Sequence, residues 1–287
     1  MVLREMIEYD CLTVKDKLEC FSLRQIDGNV GILGEGNSNK EYLVKASMRL
    51  VNSTGHFYIN GEDVLSVTSE EFKDYLWIKL SEIPSDPYTL FSELYDIKSH
   101  FVEIVMSHGL GDEHYAEELA LEYVKLLGLE TSVLDKYTFQ LNPMEAKKVE
   151  IALASFLNPE VIFVEDIGCG LNDVQVNVIL NSLLDMESVT DSSFVVLDND
   201  PAVISRLADY TVVLYKGEII EEGEEVLSFP LHPYTQAYLG GYLRPSLPGR
   251  GCKFSSSCPF SSFRCKEEIP KGANVGRSFV RCHLYPW

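Results

Sequence analysis

The chain has 287 residues, 46% of them apolar and 24% charged, with a formal net charge of −20; this is the composition of a globular protein with material for one large domain or two smaller ones. So acidic a chain lacks the basic face that nucleic-acid phosphates require, which excludes that class of partner, and most of the charge reads as a solvated acidic surface. No apolar run approaches the roughly 20 residues that cross a bilayer, and the start MVLREMIEYD lacks the apolar core of a secretory signal, so a cytoplasmic protein is expected.

In chain order, GNVGILGEG reads as turn, buried strand and turn. KEYLVKASMRLV follows with helical apolar spacing at Leu43, Ala46, Met48 and Leu50. GHFYINGEDVLSV predicts a hairpin turning at Asn60-Gly61. From Tyr88 to Lys148 the pattern is mostly helical, with amphipathic runs FSELYDIKSHFVEIVMSHG and AEELALEYVKLLGL, the second stopped by Gly128. EVIFVED and SFVVLDND are strand-like and flank the helical VQVNVILNSLLDM; YTVVLYKGEIIEEG is a hairpin around Lys216-Gly217. Strands alternating with helices predict an α/β fold with an inserted helical subdomain at about residues 87–154. After about Phe229 the composition shifts to Pro, Gly, Ser and Cys. The expected division is therefore a domain over 1–230 and a cysteine-rich extension over 231–287.

Gly34-Glu35-Gly36-Asn37-Ser38-Asn39-Lys40-Glu41 occupies the frame G-x-x-x-x-G-K-[ST] of a phosphate-binding loop. In such a loop backbone N–H groups and a helix N-terminus cradle phosphates, the lysine reaches the outer oxygens and the hydroxyl holds Mg²⁺. Gly34 and Lys40 fit. Asn39 replaces the second glycine and is the substitute that best tolerates positive φ; Glu41 replaces the hydroxyl. A carboxylate at ~4 Å from a phosphate oxygen and an effective dielectric of ~20 repels it by about 4 kcal/mol. A Mg²⁺ between them would relieve this. Alternatively Glu41 supplies an anion of its own, stabilised by the helix N-terminus and by Lys40 or Lys45.

Beyond that loop, LNPMEAKKVEIALASFLNPEVIFVED, ADYTVVLYKGEIIEEG and HPYTQAYL, followed by the cysteine tail, resemble the ATP-binding subunit of ATP-binding cassette (ABC) transporters, in the oligopeptide/dipeptide/nickel importer branch. The resemblance implies a P-loop NTPase-type cassette with a helical insert. It also assigns roles that the residues present fill poorly. The signature motif L-S-G-G-Q reads Leu141-Asn142-Pro143-Met144-Glu145, with Pro143 removing an N–H and Glu145 adding charge. The Walker B pair is inverted to Glu165-Asp166, which puts Asp166 at the catalytic-base position one methylene short. Asn199 stands at the switch histidine and Lys79 at the Q-loop glutamine. The segment before the loop looks short, which puts the adenine-stacking aromatic in doubt. ATP and Mg²⁺ binding is expected to be weak or absent.

Of seven cysteines, Cys252, Cys258, Cys265 and Cys282 fall in the last 36 residues with spacing C-x5-C-x6-C-x16-C. Four thiolates suit a [4Fe–4S] cluster or a structural Zn²⁺, and the wide gaps favour the cluster; free thiols are the third reading. In the family the same tail carries an iron–sulfur cluster in some members. His283 reads as a hydrogen bonder around the site, and Cys11, Cys20 and Cys169 as small buried hydrophobes.

The resemblance implies a subunit lying on the inner face of the cell membrane. It would pair as a heterodimer with a second, competent ATPase, beneath two permeases and indirectly with a substrate-binding protein. The degenerate motifs make its own role structural or regulatory. Two rivals stand beside this reading: an iron–sulfur assembly or interaction protein that left transport, and a working ATPase with unusual ligands.

Overall fold

The computed structural model describes residues 6–245, 247 and 250–285. Its strands and helices are, in order, β1 (Met6–Val14), β2 (Leu18–Asp27), β3 (Val30–Leu33), α1 (Glu41–Ser47), β4 (Thr54–Ile59), β5 (Glu62–Asp63), α2 (Ser69–Tyr75), β6 (Leu80–Ile83), α3 (Ile97–Ser107), α4 (Glu113–Leu126) and α5 (Pro143–Ser155). They continue with β7 (Val161–Glu165), α6 (Asp173–Val189), β8 (Ser193–Asp198), α7 (Pro201–Leu207), β9 (Tyr210–Tyr215), β10 (Glu218–Gly223), α8 (Pro233–Leu239), α9 (Phe263–Glu267), β11 (Ala273–Val275) and β12 (Ser278–Val280). The chain packs as two compact units that are not consecutive stretches: one is built mainly from Ile59–Val195, the other from Ile7–Tyr58 with the chain from Val196 onward. No helix among the described residues is long and apolar enough to cross a membrane.

In the second unit, strands stand in the order β11-β12-β10-β9-β3. β3 runs parallel to β9, with Ile32 opposite Val212, and β9, β10, β12 and β11 are successively antiparallel. β3 is buried on all four residues, as a parallel strand covered on both faces must be. Its start is pinned by Asn29, whose N–H donates to Asp209 Oδ2 at 3.0 Å and whose Nδ2 donates to the Leu207 carbonyl at 2.9 Å. A second sheet places β1 between β2 and β4. Its core is aromatic: Tyr9 stacks on Phe57 at 4.4 Å and meets Phe21 edge-on at 5.2 Å.

In the first unit, β6 and β7 are parallel, with Ser81 opposite Ile162. Helices α3, α4 and α5 each start on a side-chain cap, Asp96, Asp112 and Asn142, which satisfies orphan N–H groups of the first turn. α4 closes at Gly128 (φ +66°), the left-handed residue that glycine supplies without strain.

Three sequence expectations are corrected here. The helix read over KEYLVKASMRLV ends at Ser47; Arg49 takes φ +54° and Leu50 is 68% exposed, so the apolar spacing outran the helix. FSELYD is not helical, because the Asp96 carboxylate accepts from Ser99 N–H at 2.9 Å and starts α3 only at Ile97. Cys11, Cys20 and Cys169 are not buried hydrophobes: Cys11 and Cys20 form a disulfide, and Cys169 is exposed. The physical reason lies in the strand alternation. β1 buries Ile7 and Tyr9, then Leu12 and Val14, so the period of two slips by one residue at Cys11, which takes φ +49°. β2 buries Leu18, then Phe21 and Leu23, and slips at Cys20 with φ +46°.

Candidate functional site

The phosphate-loop frame lies between β3 and α1. Gly34 is required, since a Cβ there would stand 2.6 Å from Ser38 Cβ and 2.7 Å from the Leu214 carbonyl. Asn39 takes φ +66°, so the left-handed turn that the frame needs is present with asparagine in place of glycine. The asparagine also adds a bond, its Nδ2 donating at 2.9 Å to the carbonyl of Lys17 in the β1–β2 turn. That turn, Lys15-Asp16-Lys17, contains no aromatic. Ser38 and Lys40 are buried. Ser38 N–H is spent on the Glu35 carbonyl at 2.9 Å, and the Ser38 carbonyl accepts from Gly217 N–H at 2.8 Å.

Glu41 opens α1, but the charge pairing expected of it is not formed. Among the described residues it makes no ion pair, and the Lys45 ammonium lies 5.0 Å from the Tyr42 ring centroid, as does that of Lys17. The attraction of cations to the ring quadrupole draws Lys45 away from its i−4 neighbour. Asn199, in the same unit, is exposed, and its backbone carbonyl accepts from the Tyr238 hydroxyl.

The first unit holds Lys79, Glu165, Asp166 and the signature. Lys79 is bound to Glu62, which also accepts from the Tyr75 hydroxyl; these two donors hold the Glu62 carboxyl below the usual range. Glu165 ends β7, and Asp166 turns away from the strand with φ +37°.

In the signature segment the N–H donors are consumed locally. Leu141 N–H donates to the Thr138 carbonyl at 3.1 Å and Asn142 N–H to Glu145 Oε2 at 3.0 Å. Pro143 has none. Met144 and Glu145 N–H both donate to Asn142 Oδ1 at 3.0 Å, and Ala146 N–H to the Asn142 carbonyl at 2.9 Å. Glu145 is further held by Lys136 Nζ at 2.8 Å, and that ammonium, with the Asn142 N–H, keeps its carboxyl below the ordinary range. This is a capping box. The N-x-x-E pattern that announces it stands in the sequence, whereas its partner Lys136 had no sequence signal.

The four tail cysteines are free thiols, Cys282 buried and the others partly so. Cys252 N–H donates to the Cys265 carbonyl at 2.8 Å and Cys258 N–H to the Phe254 carbonyl at 3.1 Å. Burial pushes the Cys252 thiol up to about 11, and the other three cysteines add to the shift. Among the described residues no three His, Cys, Asp or Glu side chains converge closely enough to hold a single metal ion. His283 Nε2 hydrogen-bonds the Glu268 carbonyl at 3.0 Å. Upstream, His232 Nδ1 accepts from Tyr234 N–H at 3.0 Å and caps α8, while Glu221 accepts from Leu231 and His232 N–H; the HPYT segment therefore acts as a structural lock.

No protein-family model matches the chain. The dipeptide transport ATP-binding protein DppD of Haemophilus influenzae is 26% identical over 280 residues, covering 88% of this chain and 85% of that protein. DppD of Caldanaerobacter subterraneus is 27% identical over 281 residues, covering 88% and 86%. The oligopeptide transport ATP-binding protein AppF of Bacillus subtilis is 26% identical over 290 residues, covering 92% and 88%. Among solved structures, cbiO1 from Clostridium perfringens, part of the ABC transporter complex cbiONQ, superposes with a TM-score of 0.66 at 17% identity, over 78% of this chain and 90% of that one. A dimeric bacterial ABC transporter cassette gives 0.65 at 21% identity, over 76% and 98%. The chain has the α/β fold of ABC ATPase cassettes and is a homologue, at about 26% identity over most of its length, of the ATP-binding proteins of dipeptide and oligopeptide ABC transporters.

Proposed function

We propose that this chain is the ATP-binding-cassette subunit of a peptide (or nickel) importer-type complex, that it does not hydrolyse ATP, and that it serves as structural or regulatory partner of a competent second ATPase subunit beneath two permeases. The observation that carries the inactive reading is the closed signature segment. A signature presents N–H donors and a helix N-terminus to the phosphate held by the opposite subunit. Here every N–H from Leu141 to Ala146 is already bonded to a near neighbour in the chain or replaced by proline. A carboxylate also sits at the helix start. Two further features support it: Glu41 occupies the Mg²⁺-hydroxyl position, and Asp166 stands one methylene short of the catalytic-base role.

The tail is proposed to hold a [4Fe–4S] cluster through Cys252, Cys258, Cys265 and Cys282, with Zn²⁺ as the alternative metal. In a cluster each thiolate meets a different iron, so the sulfurs stand farther apart than around one ion. What supports this reading is the frame C-x5-C-x6-C-x16-C, all four of its thiols free, with gaps wider than those of zinc knuckles. When bound, the cluster would staple a short segment poor in apolar residues. Phosphate release by the purified chain with MgATP tests the inactive reading; turnover abolished by Lys40→Ala would overturn it.

A further inference from the structure

The second unit carries a cavity of about 700 Å³ lined by neither the phosphate loop nor the tail cysteines, a volume typical of small-molecule sites. One wall is the β1–β2 ladder, the other β10 with the β11–β12 hairpin. Three of the chain's nine arginines border it, Arg24, Arg277 and Arg281, against three carboxylates, Glu8, Asp10 and Glu222. In a chain of 24 basic and 44 acidic residues, this one-to-one balance is a local concentration of guanidinium groups.

Not all of these charges are spent within the protein. Arg277 pairs with Glu224 at 3.2 Å, and Arg281 Nη1 with Glu218 at 2.8 Å. Arg281 Nε is nevertheless buried without a hydrogen-bond partner, and so is Glu222 Oε2. Arg24 makes no ion pair among the described residues. Burial raises the Glu222 carboxyl to about 7 while Arg24 and Arg281 pull it down, so the three groups act on one another without bonding. An unmet donor and an unmet acceptor each cost about 1–3 kcal/mol. A bare anion entering the cavity meets the acids, and a bare cation meets three guanidiniums. A molecule bearing both charges answers both groups.

We propose that this cavity binds a small zwitterion, with Arg24 and Arg281 recognising its carboxylate and Glu222 its ammonium group. The inference stands apart from ATP turnover and from the metal content of the tail. Isothermal titration of the full chain with glycylglycine, sodium acetate and methylammonium chloride tests it. Glycylglycine is expected to bind at one site, with acetate and methylammonium each at least about tenfold weaker, and Arg24→Gln and Glu222→Gln are each expected to weaken glycylglycine by about tenfold or more. Where circular dichroism shows a glutamine variant unfolded, Arg24→Lys and Glu222→Asp replace it and are expected to weaken binding at least about threefold. Absence of saturable glycylglycine binding, acetate bound as tightly as glycylglycine, or affinity unchanged in folded variants overturns the proposal.

Discussion

At the scale of single residues, two carboxylates, Glu41 and Glu145, stand at positions that the proposed function assigns to neutral side chains, and the structure treats them differently. Glu145 is neutralised by Lys136 and by the Asn142 N–H, so its charge has become part of a helix cap. Glu41 has no such compensation; its i+4 neighbour Lys45 lies against Tyr42 instead. Glu41 is therefore the residue whose replacement has most to give back. Glu41→Ser removes a repulsion of about 4 kcal/mol at most and leaves Lys40 and the Asn39 turn in place. The expected outcome by isothermal titration is MgATP affinity raised by at least about tenfold and at most about a thousandfold; an unchanged affinity would show that Glu41 is not what weakens the loop.

At the scale of elements, α5 carries a buried ion pair, Lys147 with Glu150 at 3.1 Å, the two side chains 1% and 0% exposed. Lys147 also donates to the Pro84 carbonyl at 2.7 Å. Burial outweighs Lys147 and lifts the Glu150 carboxyl to about 8. The folded state therefore binds more protons than the unfolded one between about pH 4.5 and 8, and this group's contribution to stability falls as pH rises through that window. Glu150→Gln removes the term, so urea denaturation should show the wild type losing ground to the variant by just over 1 kcal/mol per pH unit at mid-window. The difference between the two proteins isolates the effect, because His232, depressed by burial to about 3, works in the opposite sense below pH 6.5 in both. Lys147→Met with Glu150→Leu is expected to be neutral or stabilising by about 1–4 kcal/mol.

The elements also show what was legible beforehand. Asn60-Gly61, Gly128 and Lys216-Gly217 announced their turns through left-handed backbone. The apolar run that continues across Asp96 hides the start of α3. The Cys11–Cys20 bridge was not legible, because it depends on two register slips facing one another across a hairpin. Nor was the closed signature: N-x-x-E is local, but its meaning rests on Lys136 folding back from an irregular segment. The orphan atoms of Glu222 and Arg281 likewise exist only once β10 and β12 are paired.

At the scale of the molecule, a homologue of transporter ATP-binding proteins keeps the cassette fold, while the donors of the segment proposed as its signature are bonded to their own neighbours. The cysteine tail shows the reverse: none of its four thiols is tied up in a disulfide. An anaerobic preparation is expected to carry about four irons and four sulfides per chain, and stoichiometric zinc or no metal would contradict that. The central claim, that the chain does not turn over ATP, is tested most directly by phosphate release from MgATP, measured for the wild type and Lys40→Ala side by side. Release from the wild type is expected to be indistinguishable from the variant; release that Lys40→Ala abolishes would contradict an inactive cassette.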